Sequence, residues 1–169
     1  MRFELNDSRS ESARHGRGPR ATFYRMFPLP PRAPSWPADF QHVELTERII
    51  GVAIQVIREL GAGFVESVYR RAMMVALDDE GLRAEEHVPI GVSFRGREVG
   101  HFQGDILVEG KVLLELKAVR VLAPDHQAQL INYLKATGVE VGLLLNFGTQ
   151  RLGFRRVHQG NPKKESCPS

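Results

Sequence analysis

Apolar residues in the first half of the chain recur at helical spacing. Ile49, Ala53, Val56, Ile57 and Leu60 line one face of a predicted helix. Thr46 reads as its N-cap, with Leu45 and Ile50 spaced as a hydrophobic staple, and Gly61-Ala62-Gly63 as its stop. A second helix is predicted over 65–79, with Val65, Val68, Tyr69, Ala72, Ala76 and Leu77 facing inward and Gly81 ending it. The period then shortens to two. Strands are predicted over 87–94, 98–108 and 112–119, separated by turns at Arg95-Gly96 and Glu109-Gly110. Pro89 suits an edge or irregular strand. Pro124-Asp125 opens a third helix that runs through Ala136 and closes at Gly138. The apolar run 140–146 reads as a buried strand, and 152–157 as the last. The order ααβββαββ predicts an α/β fold with a mixed sheet and helices on its faces.

Residues 1–42 follow neither period. They hold six of the ten prolines, seven arginines and four acidic residues, and are expected to be disordered or loosely attached. A translation start further in, at Met26 for example, is the alternative. One domain is expected over 43–158, followed by a flexible tail over 159–169. The formal charge of +3 belongs wholly to the first 42 residues. The domain is neutral, so bulk charge lends nucleic-acid binding no support, and any basic surface has to be local. The single cysteine, Cys167, excludes an internal disulfide and a cysteine-based zinc site. No apolar run approaches the ~20 residues of a membrane span, so no membrane association is expected. The N-terminus lacks an apolar signal core, and Glu4, Asp7 and Glu11 argue against a transit peptide. A cytoplasmic location is the expectation.

The chemistry-bearing stretch is Gly104-Asp105-Ile106-Leu107-Val108 followed by Leu114-Glu115-Leu116-Lys117. Alternation places Leu113, Glu115 and Lys117 on one strand face and Val112, Leu114 and Leu116 on the other. A three-residue turn at Glu109-Gly110-Lys111 pairs Val108 with Val112 and puts Asp105 opposite Glu115. Two converging carboxylates suit Mg²⁺ (or Mn²⁺), which takes oxygen ligands and keeps several waters. A lysine beside them can orient water or stabilise charge developing on a phosphate. The plain alternative is an ion-pair cluster between strands.

Asp105…Glu115-Leu116-Lys117 resembles the core motif of the PD-(D/E)xK nuclease superfamily. Gly63-Phe64-Val65-Glu66-Ser67-Val68-Tyr69 resembles the GxxExxY motif of a small family within it. Further segments agree in the same order: Glu115-Leu116-Lys117-Ala118-Val119, Gln129-Leu130-Ile131-Asn132-Tyr133-Leu134-Lys135, and Gly142-Leu143-Leu144-Leu145-Asn146-Phe147-Gly148. The resemblance implies a restriction-endonuclease-like fold. It implies Asp105 and Glu115 as metal ligands, Lys117 as catalytic lysine and Glu66 as an acid that joins the metal shell. It also likens Gln129 and Tyr133 to the Q-x-x-x-Y element of RecB-like nucleases, on one helix face at i,i+4. The implied partner is nucleic acid, and DNA is expected ahead of RNA. Two positions depart from the pattern. Ile57 stands where RecB-like sequences carry a histidine late in the first helix, and Gly104 stands where Pro or Ala precedes the motif aspartate.

Glu66 at a helix start also suits the helix dipole. The pairs Arg70-Arg71 and Arg155-Arg156 are candidates for phosphate contact but read as solvated surface, and His126 and Gln127 as flanking residues. His42, His87, His101 and His158 show no metal-ligand spacing. Two functions remain open. One is a metal-dependent nuclease. The other is a non-catalytic module that keeps the fold and binds nucleic acid or protein, or pairs through a sheet edge as a homodimer.

Overall fold

The first helix begins a turn before its apolar stripe suggests. The structure, a computed structural model, describes residues 41–159. The expected N-terminal tail lies outside the described residues up to residue 40, as does the C-terminal tail from residue 160. Helix α1 spans Val43–Leu60, capped by His42 at φ 57. Thr46 is therefore not the N-cap. It is fully buried inside the first turn, and its Oγ1 donates to the His42 carbonyl at 2.8 Å. A threonine can satisfy its hydroxyl on the carbonyl four residues back, so a residue that reads as a cap also fits a buried helical site.

Helix α2 spans Glu66–Asp79. Then follow β1 (Ala84–Phe94), β2 (Arg97–Val108), β3 (Val112–Lys117), α3 (Pro124–Thr137), β4 (Val141–Asn146) and β5 (Gly153–His158). The five strands lie in sequence order across one sheet. Only β3 and β4 are parallel, and α3 makes the crossover that a parallel pair needs. The fold is thus α/β with a mixed sheet, as the pattern implies.

Each sheet face has its own core. Helices α1 and α2 cover one face, packing Ile49, Ala53, Tyr69 and Met73 on Ile106, Leu114, Leu116 and Leu145. Helix α3 covers the other, packing Leu130, Tyr133 and Leu134 on Leu113, Leu144 and Val157. The strands β3 and β4 carry apolar side chains on both faces because helices lie on both sides, with Glu115, Lys117 and Asn146 the polar exceptions toward their ends. Ile57 is 4% exposed and belongs to the first core, so the side chain at that position serves packing.

The turns behave as the sequence suggests. Arg95 and Gly96 both take positive φ, the geometry of a tight hairpin, and join Phe94 to its partner Arg97. Glu109 and Gly110 do the same, and Val108 pairs with Val112 as expected.

Candidate active site

The β2–β3 ladder records three pairs and stops at Ile106↔Leu114. Asp105 and Glu115 come next in that register, but they do not continue the ladder. Instead Asp105 Oδ2 accepts the Leu116 N–H at 2.7 Å. The side chain takes over the bond that a backbone carbonyl would make. Strand β2 also changes phase here. Ile106 and Val108 belong to the α1–α2 core. Beyond Asp105 the even-numbered residues face α3 instead: Phe102 meets the Tyr133 ring at 5.8 Å, and a Cβ on Gly104 would stand 3.1 Å from Leu113 and 3.2 Å from Ile90. Across the sheet, His87 of β1 takes φ 58, and its pair with Asp105 is missing from the ladder between Glu86↔Ile106 and Val88↔Gly104. A positive φ is uncommon for any non-glycine residue and marks a local distortion. That break sets Asp105 at the end of β3. The Gly104 departure has a packing reason, since Leu113 and Ile90 fill the space a larger residue would need.

Glu115 and Lys117 share the face of Leu113, as alternation requires. The Lys117 Nζ donates to Glu115 Oε1 at 2.6 Å. Their side chains are 5% and 14% exposed. The second Glu115 oxygen, Oε2, is buried without a hydrogen-bond partner. A buried carboxylate oxygen left unmatched is costly unless something else fills the vacancy.

The strand residue beside Lys117 holds the segment that follows it. Asn146 is 4% exposed and lies beside Lys117 in the parallel ladder. Its Nδ2 donates to the Val119 carbonyl at 2.8 Å, and its Oδ1 accepts the N–H groups of Val119 at 3.0 Å and Gly148 at 3.1 Å. The expected strand out to Val119 thus ends at Lys117, because an amide side chain replaces the ladder beyond it. A Cβ at Gly148 would meet the Val119 carbonyl oxygen at 2.1 Å, so only glycine permits this approach.

The Gly63–Tyr69 motif supplies one residue to the site and two to its support. Gly63 holds φ 119. The Tyr69 hydroxyl donates to the Gly61 carbonyl at 2.8 Å and accepts the Phe64 N–H at 3.2 Å. Its ring stacks on Phe147 at 4.7 Å. These contacts pin the loop before α2, whose first residue is Glu66. Glu66 is half-buried and lies within electrostatic reach of Lys117, Asp105, Arg70 and His126.

Arg70 belongs to this site and not to the solvated surface. Its side chain is 17% exposed, and its Nη1 lies 3.5 Å from Asp105 Oδ1. Arg71 is exposed. The i,i+4 spacing from Glu66 puts both residues on one helix face, and that signal could have found Arg70. Asn146 gave a weaker sign, a lone amide ending an apolar run. His126 sits at the start of α3, where its Nδ1 accepts the Ala123 N–H at 3.2 Å, within electrostatic reach of Glu66. Gln129 Nε2 donates to the Tyr133 hydroxyl at 2.8 Å. Among the described residues no hydrogen bond joins either of them to Asp105, Glu115 or Lys117.

The ionisable groups are coupled. Burial holds the Glu115 carboxyl above its ordinary 4.5, against the opposing pull of Lys117, with Asp105 and Glu66 adding to the rise. Glu66 is raised for the same first reason, burial, with Asp105 adding to it. Burial would lower the Lys117 ammonium. Its hydrogen bond to Glu115 and the charges of Glu115, Glu66 and Asp105 outweigh that, and its pKa is raised.

The donors are hard carboxylate oxygens, and one of them is buried and unmatched. That set fits an oxygen-preferring divalent ion. Among the described residues, however, no three His, Cys, Asp or Glu side chains form a ready metal cluster.

The sequence model of the PD-(D/E)XK nuclease superfamily matches residues 43–157. No curated protein matches the chain. A crystal structure of SSO0001 aligns at 18% identity with a TM-score of 0.46, covering 57% of this chain and 51% of that one. The chain thus spans about half the length of that relative.

Proposed function

This chain belongs to the PD-(D/E)XK nuclease superfamily, and we propose that its domain, residues 43–158, is a metal-dependent nuclease of the GxxExxY, RecB-like type. The observation that carries this reading is the buried Glu115 carboxylate, with one oxygen on Lys117 and the other unmatched, next to Asp105. Asp105 and Glu115 are the residues to hold Mg²⁺ or Mn²⁺. Such an ion, when bound, polarises a phosphate oxygen and acidifies a coordinated water. Lys117 would stabilise negative charge as water adds to phosphorus and the P–O bond to the leaving group breaks. Glu66 is an acid at the rim of the same site, and its raised pKa suits a group that exchanges a proton with water. Gln129 and Tyr133, bonded to each other on α3, would bind substrate and not metal.

DNA is the proposed substrate. No described helix is long and apolar enough to cross a membrane, in keeping with a cytoplasmic enzyme. A homodimer through the β1 edge is compatible with the sheet order.

The test is cleavage of labelled DNA and RNA by the full chain with Mg²⁺, Mn²⁺ or EDTA. Metal-dependent cleavage supports the reading. A folded protein that binds neither metal nor nucleic acid would refute it. Two observations favour a second reading, a binding module without catalysis: Asp105 faces Arg70, and no three-ligand cluster is present among the described residues. Nucleic-acid affinity that survives EDTA and Lys117→Ala, without cleavage, would favour that module.

A further inference from the structure

Arg70 is shared between two carboxylates and committed to neither. Its Nη1 lies 3.5 Å from Asp105 Oδ1, and its Nε lies 3.6 Å from Glu86 Oε2. The Nε is buried and makes no hydrogen bond. A guanidinium offers five donors and prefers a short, two-pronged pair with one carboxylate. Neither Asp105 nor Glu86 provides that geometry here.

Asp105 has one oxygen to spare. Its Oδ2 is fixed by the Leu116 N–H at 2.7 Å. The remaining Oδ1 is the atom that Arg70 faces. Glu115 is divided in a parallel way, with Oε1 on Lys117 and Oε2 open. The site thus carries its own cations, one beside each acid.

We propose that Arg70 is a built-in counter-cation on Asp105, which a divalent ion must displace, and that Glu86 receives the displaced guanidinium. The proposal rests on reading Asp105 as a metal ligand. A guanidinium and a divalent ion repel at short range in a half-buried site, so an ion on Oδ1 drives Arg70 away from it. Glu86 is 43% exposed and already within 3.6 Å of Nε. The move is therefore a short swing of a long side chain between partners already in place. Arg70 acts here as a positioning residue that sets metal affinity.

The test is Mn²⁺ affinity of the full chain, read from the paramagnetic resonance signal of the free ion. It compares the unaltered protein with Arg70→Gln, Arg70→Lys, Glu86→Gln and the double variant Arg70→Gln/Glu86→Gln, each checked for folding by circular dichroism. Arg70→Gln is expected to bind about tenfold more tightly or better, because the competitor is gone. Arg70→Lys, which keeps the charge, falls between. Glu86→Gln binds more weakly, because Arg70 has lost its second partner. The double variant matches Arg70→Gln. That equality is the decisive feature of the cycle. If Glu86→Gln weakens binding equally in both backgrounds, Glu86 acts only through its own charge and the proposal is overturned. Arg70→Gln binding no better than the unaltered protein also overturns it. Cleavage measured alongside separates the two claims. Metal-dependent cleavage with no gain in Arg70→Gln sinks the counter-cation and leaves the nuclease. Tighter Mn²⁺ binding without cleavage does the reverse.

Discussion

Lys117 and Glu115 lie two residues apart on β3 and share a 2.6 Å hydrogen bond that uses only one of the two carboxylate oxygens. Both side chains are largely buried, so each depends on the other. Glu115→Ala leaves an ammonium without its partner and is expected to cost roughly 3–5 kcal/mol of stability, the range for breaking a buried pair. Glu115→Ala/Lys117→Met should recover most of that loss. Urea unfolding of the full chain checks both. A double variant no more stable than Glu115→Ala would contradict the pairing.

The same carboxylate gives a pH signature. Burial raises the Glu115 pKa above its ordinary 4.5. An acid raised on folding binds its proton more tightly in the folded state. Its contribution to stability is full below 4.5 and is lost as pH rises through the folded value. Glu115→Gln has no such term. The melting temperature of the variant minus that of the unaltered protein should therefore climb as pH rises from 4.5 toward neutrality. Lys117 does not interfere in this window, since its pKa is raised from an ordinary 10.5. A difference that is flat or falls over that range would contradict the assignment.

Asn146 stands in for missing ladder bonds beyond Lys117, with one donor and two acceptor contacts to Val119 and Gly148. Asn146→Ala removes all three and leaves part-buried backbone groups of Val119 and Gly148 without these partners. A loss of roughly 2–4 kcal/mol is expected, at about 1 kcal/mol or more per group. Denaturant unfolding reads it. A loss under about 0.5 kcal/mol would show that the Val119 segment does not rely on this clamp.

Tyr69 reaches back to the loop ahead of its own helix. Tyr69→Phe keeps the ring stacked on Phe147 but loses the bonds to Gly61 and Phe64. About 1–2 kcal/mol of destabilisation is expected, along with faster amide hydrogen exchange at Phe64. Unchanged exchange at Phe64 would show that the loop is held by other means.

Much of this molecule can be read from its residues, because buried β3 and β4 and amphipathic α1 impose strong periods. The order of eight elements and the Val108–Val112 turn follow from them. The start of α1 did not, because Thr46 can bond to a carbonyl four residues back as readily as it can cap a helix. The end of β3 did not, because the apolar pattern continues through Ala118 and Val119 while Asn146 takes over their pairing. Asp105 and Glu115 were expected face to face. The phase change of β2 that moves Asp105 onto the Leu116 N–H leaves no mark in alternation alone. In the sequence Arg70 reads only as one of a basic pair. Its place beside Asp105 depends on how α2 sits on the sheet, which local pattern does not reveal.

The most direct measurement is cleavage of labelled single- and double-stranded DNA and RNA by the full chain, with Mg²⁺, Mn²⁺ or EDTA, beside Asp105→Asn and Lys117→Met. The account predicts cleavage of DNA that requires a divalent ion and falls by about a hundredfold or more in each folded variant. Cleavage that persists in EDTA, or that is unchanged in both variants, would contradict an active site built on Asp105, Glu115 and Lys117.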